Sequence, residues 1–125
     1  MGKLLFEKES FAIRGAVFEV YKEMGCGFLE SVYQECLERE LKKCDIPFEP
    51  QKQLSLYYKG DVLDQVYIPD LVCYGQIILE LKAAKTVSPE HRAQIINYLK
   101  ASKTRVGFLV NFGVYPKATI ERFVL

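Results

Sequence analysis

The segment Ile77-Ile78-Leu79-Glu80-Leu81-Lys82 is aliphatic except for one carboxylate and one ammonium. In an extended strand residues two apart share a face, so Glu80 and Lys82 project to the same side. A strand this apolar is expected to be covered on both faces. Burying either charge costs several kcal/mol unless it is paired or bound to a metal; the alternative is an exposed edge with a surface ion pair. A second acid, Asp70, interrupts the apolar run Tyr67-Ile68-Pro69-Asp70-Leu71-Val72. If the chain reverses about Gly75, residues equidistant from it pair, which puts Asp70 across from Glu80 on one side of a sheet. Opposed like charges repel. Either one acid is protonated, or a divalent cation with oxygen ligands lies between them, flanked by Lys82. A two-residue turn would shift the register by one and send the two acids to opposite faces.

Several elements must hold these residues. Ile13, Val17, Val20, Tyr21 and Met24 recur at helical spacing over residues 7–24, and Gly25 and Gly27 end the pattern. Leu29, Val32, Tyr33, Cys36, Leu37 and Leu41 form an apolar stripe over 28–44, which predicts a second helix with Glu30 in its first turn. There Glu30 favours the helix dipole by about 0.3–1 kcal/mol whatever else it does. Pro47 and Pro50 punctuate the next stretch. Residues 53–58, a Lys59-Gly60 turn and residues 62–74 read as a β-hairpin. Residues 76–83 follow as a strand. Ser88-Pro89-Glu90 starts a helix over 89–101 with a cap, a first-position proline and a first-turn acid. Residues 105–112 read as a buried strand and 119–125 as one at the edge. The predicted order is ααβββαββ.

The bulk composition fits one ordinary α/β domain spanning residues 1–125: half of the residues are apolar and 26% charged. Four cysteines stand without a CxxC pair, and the N-terminus lacks the order of a signal peptide. They are expected to be reduced thiols, mostly interior, in a cytoplasmic protein. No apolar run has the length of a spanning helix, so a membrane location is not expected. The net charge is +1, but residues 1–80 sum to −5 and residues 81–125 to +6. This asymmetry permits a cationic face for phosphates. Lys85, Arg92, Lys100, Lys103 and Arg105 are candidates for such a rim, and Tyr57, Tyr58 or Tyr74 for base stacking; solvated surface and core packing are the competing readings. His91, the sole histidine, is expected to be exposed in a first helical turn rather than to act as a base.

Ile68-Pro69-Asp70, nine further residues and then Glu80-Leu81-Lys82 resemble the signature of the PD-(D/E)XK nuclease-like superfamily. Gly27-Phe28-Leu29-Glu30-Ser31-Val32-Tyr33 resembles the motif of the GxxExxY family, a branch with RecB-type relatives. Gln94-Ile95-Ile96-Asn97-Tyr98 resembles the QxxxY of the helix after the catalytic strand, and spacing of four keeps Gln94 and Tyr98 on one helix face.

The resemblance implies a restriction-endonuclease-like αβββαβ core, with a central mixed sheet flanked by helices. It implies that Asp70 and Glu80 bind Mg²⁺ or Mn²⁺ with the Leu81 carbonyl and Glu30, and that Lys82 orients water or stabilises developing charge. Tyr33, Gln94 and Tyr98 are supporting or substrate-contacting candidates. For Tyr33 and Gln94 the competing readings are core packing and the wet side of a helix. The implied activity is metal-assisted phosphodiester hydrolysis, and DNA is expected as the substrate ahead of RNA. The alternative is an inert nuclease-fold module that binds nucleic acid or a protein. With little beyond the core fold, a homodimer or larger complex is plausible as the source of further substrate grip.

Overall fold

The computed structural model describes residues 5–125. The chain runs α1 (Glu7–Met24), α2 (Glu30–Lys43), β1 (Phe48–Pro50), β2 (Leu54–Tyr58), β3 (Asp61–Tyr67), β4 (Leu71–Cys73), β5 (Ile77–Lys82), α3 (Pro89–Ala101), β6 (Val106–Asn111) and β7 (Thr119–Val124). Five strands form a mixed sheet in the order β1-β4-β5-β6-β7, and β2 and β3 form a separate two-stranded ribbon. Only β5 and β6 are parallel, and α3 supplies the crossover between them.

Alternation along the strands sorts side chains to the two faces of the sheet. Leu71, Cys73, Ile77, Leu79, Leu81, Phe108 and Val110 pack with α1 and α2 through Ile13, Val17, Tyr33, Leu37 and Leu41. On the other face Val72, Ile78 and Leu109 meet Ile95 and Leu99 of α3 together with Leu56 and Tyr67 of the ribbon. By the same alternation Asp70, Glu80 and Lys82 belong to the α3 face.

The structure departs from the sequence reading at three places. Residues 62–74 are not one strand: Pro69, with no N–H to give a ladder, separates β3 from β4, so the hairpin leaves the main sheet. β1 follows one of the prolines read as punctuation and ends on the other. Pro50 is tolerated because β1 is an edge strand. Of the four free thiols only Cys73 is buried, while Cys26 and Cys44 are exposed and Cys36 is intermediate. The Lys59-Gly60 turn is as expected, both residues having positive φ.

Candidate active site

The reversal between β4 and β5 determines whether the two acids can meet. Tyr74 and Gly75 both have positive φ, and Gln76 N–H closes the turn onto Cys73 O at 3.1 Å. The strands then pair Cys73 with Ile77, Val72 with Ile78 and Leu71 with Leu79. This is the register centred on Gly75, and one more step brings Asp70 level with Glu80.

The ladder stops at that step, and side chains replace it. Leu81 N–H donates to Asp70 Oδ2 at 2.7 Å, and Asp70 N–H approaches Glu80 Oε1 at 3.4 Å. Tyr67, at the end of β3, donates its hydroxyl to Glu80 Oε2. Gln34 of α2 donates to the Asp70 carbonyl at 3.0 Å and to Glu38 at 2.9 Å, tying the loop before β4 to the helix behind the sheet. Lys82 O accepts from Phe112 N–H at 2.8 Å, so Lys82 directs its backbone groups toward β6. Leu81, one residue earlier, therefore directs its N–H and carbonyl toward the end of β4, the side on which Asp70 lies.

Burial pushes the Glu80 carboxyl up to about 7, with the neighbouring Asp70 charge adding to the effect and the Tyr67 hydrogen bond opposing it. Burial and the Glu80 charge also push the Tyr67 phenol well up, which keeps it a donor. Tyr67 is held flat against Tyr98 of α3, with ring centroids 4.1 Å apart and planes 9° apart. Tyr98 therefore reaches the acids through Tyr67.

The floor under Lys82 is built by loops. Asn111, buried at the end of β6, accepts from Ala84 N–H at 3.1 Å and Gly113 N–H at 2.9 Å, and donates to Ala84 O at 2.9 Å. A Cβ on Gly113 would lie 2.3 Å from Ala84 N, so only glycine permits this approach of the loops after β5 and β6.

Glu80, Lys82, His91, Gln94, Ile95 and Leu109 enclose a small cavity of about 20 Å³. Lys82 is in none of the three ion pairs found among the described residues. Gln94 lines the cavity from an otherwise exposed position on α3. His91, expected to be exposed, is instead half-buried and faces the site, because the capping turn at Ser88 folds its ring back over the helix start.

The other candidates lie further off. Glu30 is exposed at the start of α2, one turn before Gln34 on the same helix face, and no hydrogen bond ties it to the acid pair. Tyr33 is fully buried, stacks on Phe112, and donates to Gly25 O at 2.6 Å while accepting from Phe28 N–H at 3.3 Å. It thereby braces the turn that presents Glu30. The expected basic rim is broken up. Arg92 is paired with Glu121. Lys103 and Arg105 lie with Gly75 at the Ile77 end of β5, away from Lys82, and the Lys103 ammonium covers the Tyr57 ring at 4.1 Å.

Tyr67, Gln34 and His91 escaped the sequence reading. Tyr67 was detectable in principle as a polar-tipped aromatic three residues before Asp70. Gln34 carried no signal, because its role is a long-range bond to a backbone carbonyl.

The donor set suits a hard divalent cation: two carboxylates, a carbonyl on the same strand edge, and no sulfur. Among the described residues no three His, Cys, Asp or Glu side chains converge, so carbonyl and solvent oxygens would complete the shell. Glu80, whose carboxyl burial raises to about 7, is the group whose charged form such a cation would favour.

A comparison with curated proteins gives no match. The fold is similar to the crystal structure of SSO0001, with a TM-score of 0.57 and 17% identity over 95% of this chain. The chain spans 59% of that protein's length. No helix among the described residues is long and apolar enough to cross a membrane. The model of the PD-(D/E)XK nuclease superfamily matches residues 7–123, almost the whole chain, and places this protein in that superfamily.

Proposed function

We propose that this protein is a Mg²⁺- or Mn²⁺-dependent nuclease that hydrolyses phosphodiester bonds, in DNA rather than RNA, and that it belongs to the GxxExxY branch with RecB-type relatives. The observation that carries this reading is the junction of Asp70 and Glu80 across the end of the β4–β5 ladder, with Lys82 on the same face.

Asp70, Glu80 and the Leu81 carbonyl would hold the cation, and Glu30 at the start of α2 would assist them. When bound, the cation lowers the pKa of water and offsets charge on the phosphate. Lys82 orients the attacking water or meets the charge that develops on the phosphoryl oxygens. Tyr67 keeps Glu80 Oε2 engaged, and Oε1, which has only the long 3.4 Å approach of Asp70 N–H, is the oxygen more open to metal. Tyr98 holds Tyr67 in place by stacking. Gln94 meets the substrate from α3, and Tyr33 supports the segment that presents Glu30.

The test is Mn²⁺ and Mg²⁺ titration of wild type and the Asp70→Ala/Glu80→Ala double variant, read by thermal shift and by cleavage of labelled single- and double-stranded DNA and RNA. Wild type should be stabilised by metal and cleave DNA. The double variant should lose the metal response and at least about a hundredfold of rate. DNA binding by well-folded wild type without cleavage in either metal would favour an inert binding module, because a fold alone does not establish turnover. A second copy or a partner remains part of the proposal as the source of additional substrate grip.

A further inference from the structure

Between the small cavity over Glu80 and Lys82 and the outer surface of α3 lies a groove of about 580 Å³, lined by Glu90, Ala93, Asn97 and Tyr98. His91 and Gln94 line both spaces and stand where they join. Of the two, His91 is the one whose hydrogen-bonding direction is fixed by the fold.

Ser88 caps α3. Its hydroxyl accepts from His91 N–H at 3.2 Å, and its own backbone N–H points at His91 Nδ1 at 3.5 Å. A backbone N–H can only donate, so Nδ1 is the acceptor and the ring proton resides on Nε2. The ring is thus held as a one-way donor, with Nε2–H on the side away from the cap. No protein acceptor for Nε2–H is found among the described residues.

We propose that His91 is a substrate-contacting residue of this site, donating its Nε2–H to a non-bridging oxygen of the phosphate that spans the cavity and the α3 groove. The inference rests on the nuclease reading above and adds a third donor, beside Lys82 and Gln94, from the α3 side. His91 is not assigned to the metal. The ligands Asp70, Glu80 and Leu81 O converge on the β4 edge, whereas His91 approaches from the helix. An imidazole donor is short and directional, so it fixes where the phosphate sits, which an ammonium on a flexible stem does less well.

The experiment compares wild type, His91→Ala and His91→Gln. The Ser88 hydroxyl bond to the backbone N–H of residue 91 survives in each variant, so the helix start is retained. Gln presents an amide donor at similar reach, and Ala presents none. Three readouts are taken: the Mn²⁺-induced thermal shift, binding of a labelled oligonucleotide in Ca²⁺, and KM and kcat for its cleavage in Mn²⁺.

His91→Ala should keep the metal shift, weaken oligonucleotide binding and kcat/KM by about tenfold to a hundredfold as expected for one hydrogen bond to a charged group, and be largely rescued by Gln. Unchanged binding and kcat/KM in His91→Ala would overturn the contact. So would loss of the metal shift, which would make His91 part of the cation site, or a Gln variant as impaired as Ala at equal melting temperature. If wild type binds the oligonucleotide but does not cleave it, the nuclease reading fails while the contact is still decided by the binding arm. Wild type that neither binds nor cleaves overturns both.

Discussion

The two faces of the sheet are built to different standards. The α1–α2 face buries nineteen residues in one cluster, including Phe108, Phe112, Tyr33 and Leu37, all fully inaccessible. The α3 face buries seven among the described residues, Tyr67 included, and also carries Glu80, Lys82 and Asp70, with Tyr67 stacked on Tyr98. The first face carries most of the buried apolar core, and the proposed site lies on the second. The central strand serves both, because Leu79 and Leu81 anchor it on one side while Glu80 and Lys82 project from the other. An acid pair that repels itself is tolerated there because the opposite face holds the strand.

The largest effect should come from breaking the thick face. Phe108→Ala should cost about 3–5 kcal/mol in urea unfolding, since a fully buried ring is removed from a dense cluster that collapses poorly. A cost below about 1 kcal/mol would show that the two faces do not differ as argued.

Next in size is the thin face's own penalty. The carboxyl of Glu80 sits at about 7 in the fold against an ordinary 4.5, so the folded chain holds a proton that the unfolded chain releases. The native state therefore binds more protons across pH 4.5–7, and stability must fall as pH rises through that window, then level off. Glu80→Gln removes this term. In chelator-treated protein the variant should be more stable than wild type at pH 8 by about 1–3 kcal/mol and equal to it at pH 4. Divalent cation should reverse the order by stabilising wild type alone. A variant that is less stable at pH 8 would mean that Glu80 is not strained by burial.

That asymmetry explains what could be read from the sequence. Residues 7–24 obey a helical period because they cover an apolar face, and the helix has those bounds. The register of the acids was legible because Gly75 marked the turn, and a one-residue slip would have turned an apolar strand inside out. What escaped was set by distant partners. β1 is a three-residue edge strand that ends on Pro50, with no periodicity to detect. The ribbon left the sheet at Pro69, although its pattern reads like the strand that follows. His91 looked solvated among Glu90 and Arg92, and only the cap at Ser88 turns it toward Glu80. The two acids stood out because a carboxylate within an apolar run is unusual, while Gln34 and Tyr67, which hydrogen-bond to them, are ordinary residues anywhere else.

The smallest effect should come from the ion pair that, among the described residues, fastens α3 to the sheet. Arg92 Nε lies 2.8 Å from both Glu121 oxygens, and each side chain is about two fifths exposed, 42% and 39%. Arg92 also donates to Val87 O at 3.2 Å, so the pair reaches the turn that carries Ser88 and His91. Its contribution is limited by solvent. Glu121→Gln should cost less than about 1 kcal/mol, and the loss should shrink in about 1 M salt, where exposed charges are screened. If α3 is held mainly by Ile95 and Leu99, amide exchange along the helix should be nearly unchanged in the variant and faster than in β6 in both proteins. A salt-insensitive loss above about 2 kcal/mol, with α3 exchanging as if unfolded, would make this clamp the main support of the functional face. The small apolar cluster beneath α3 would then be too weak to position His91 and Gln94 by itself.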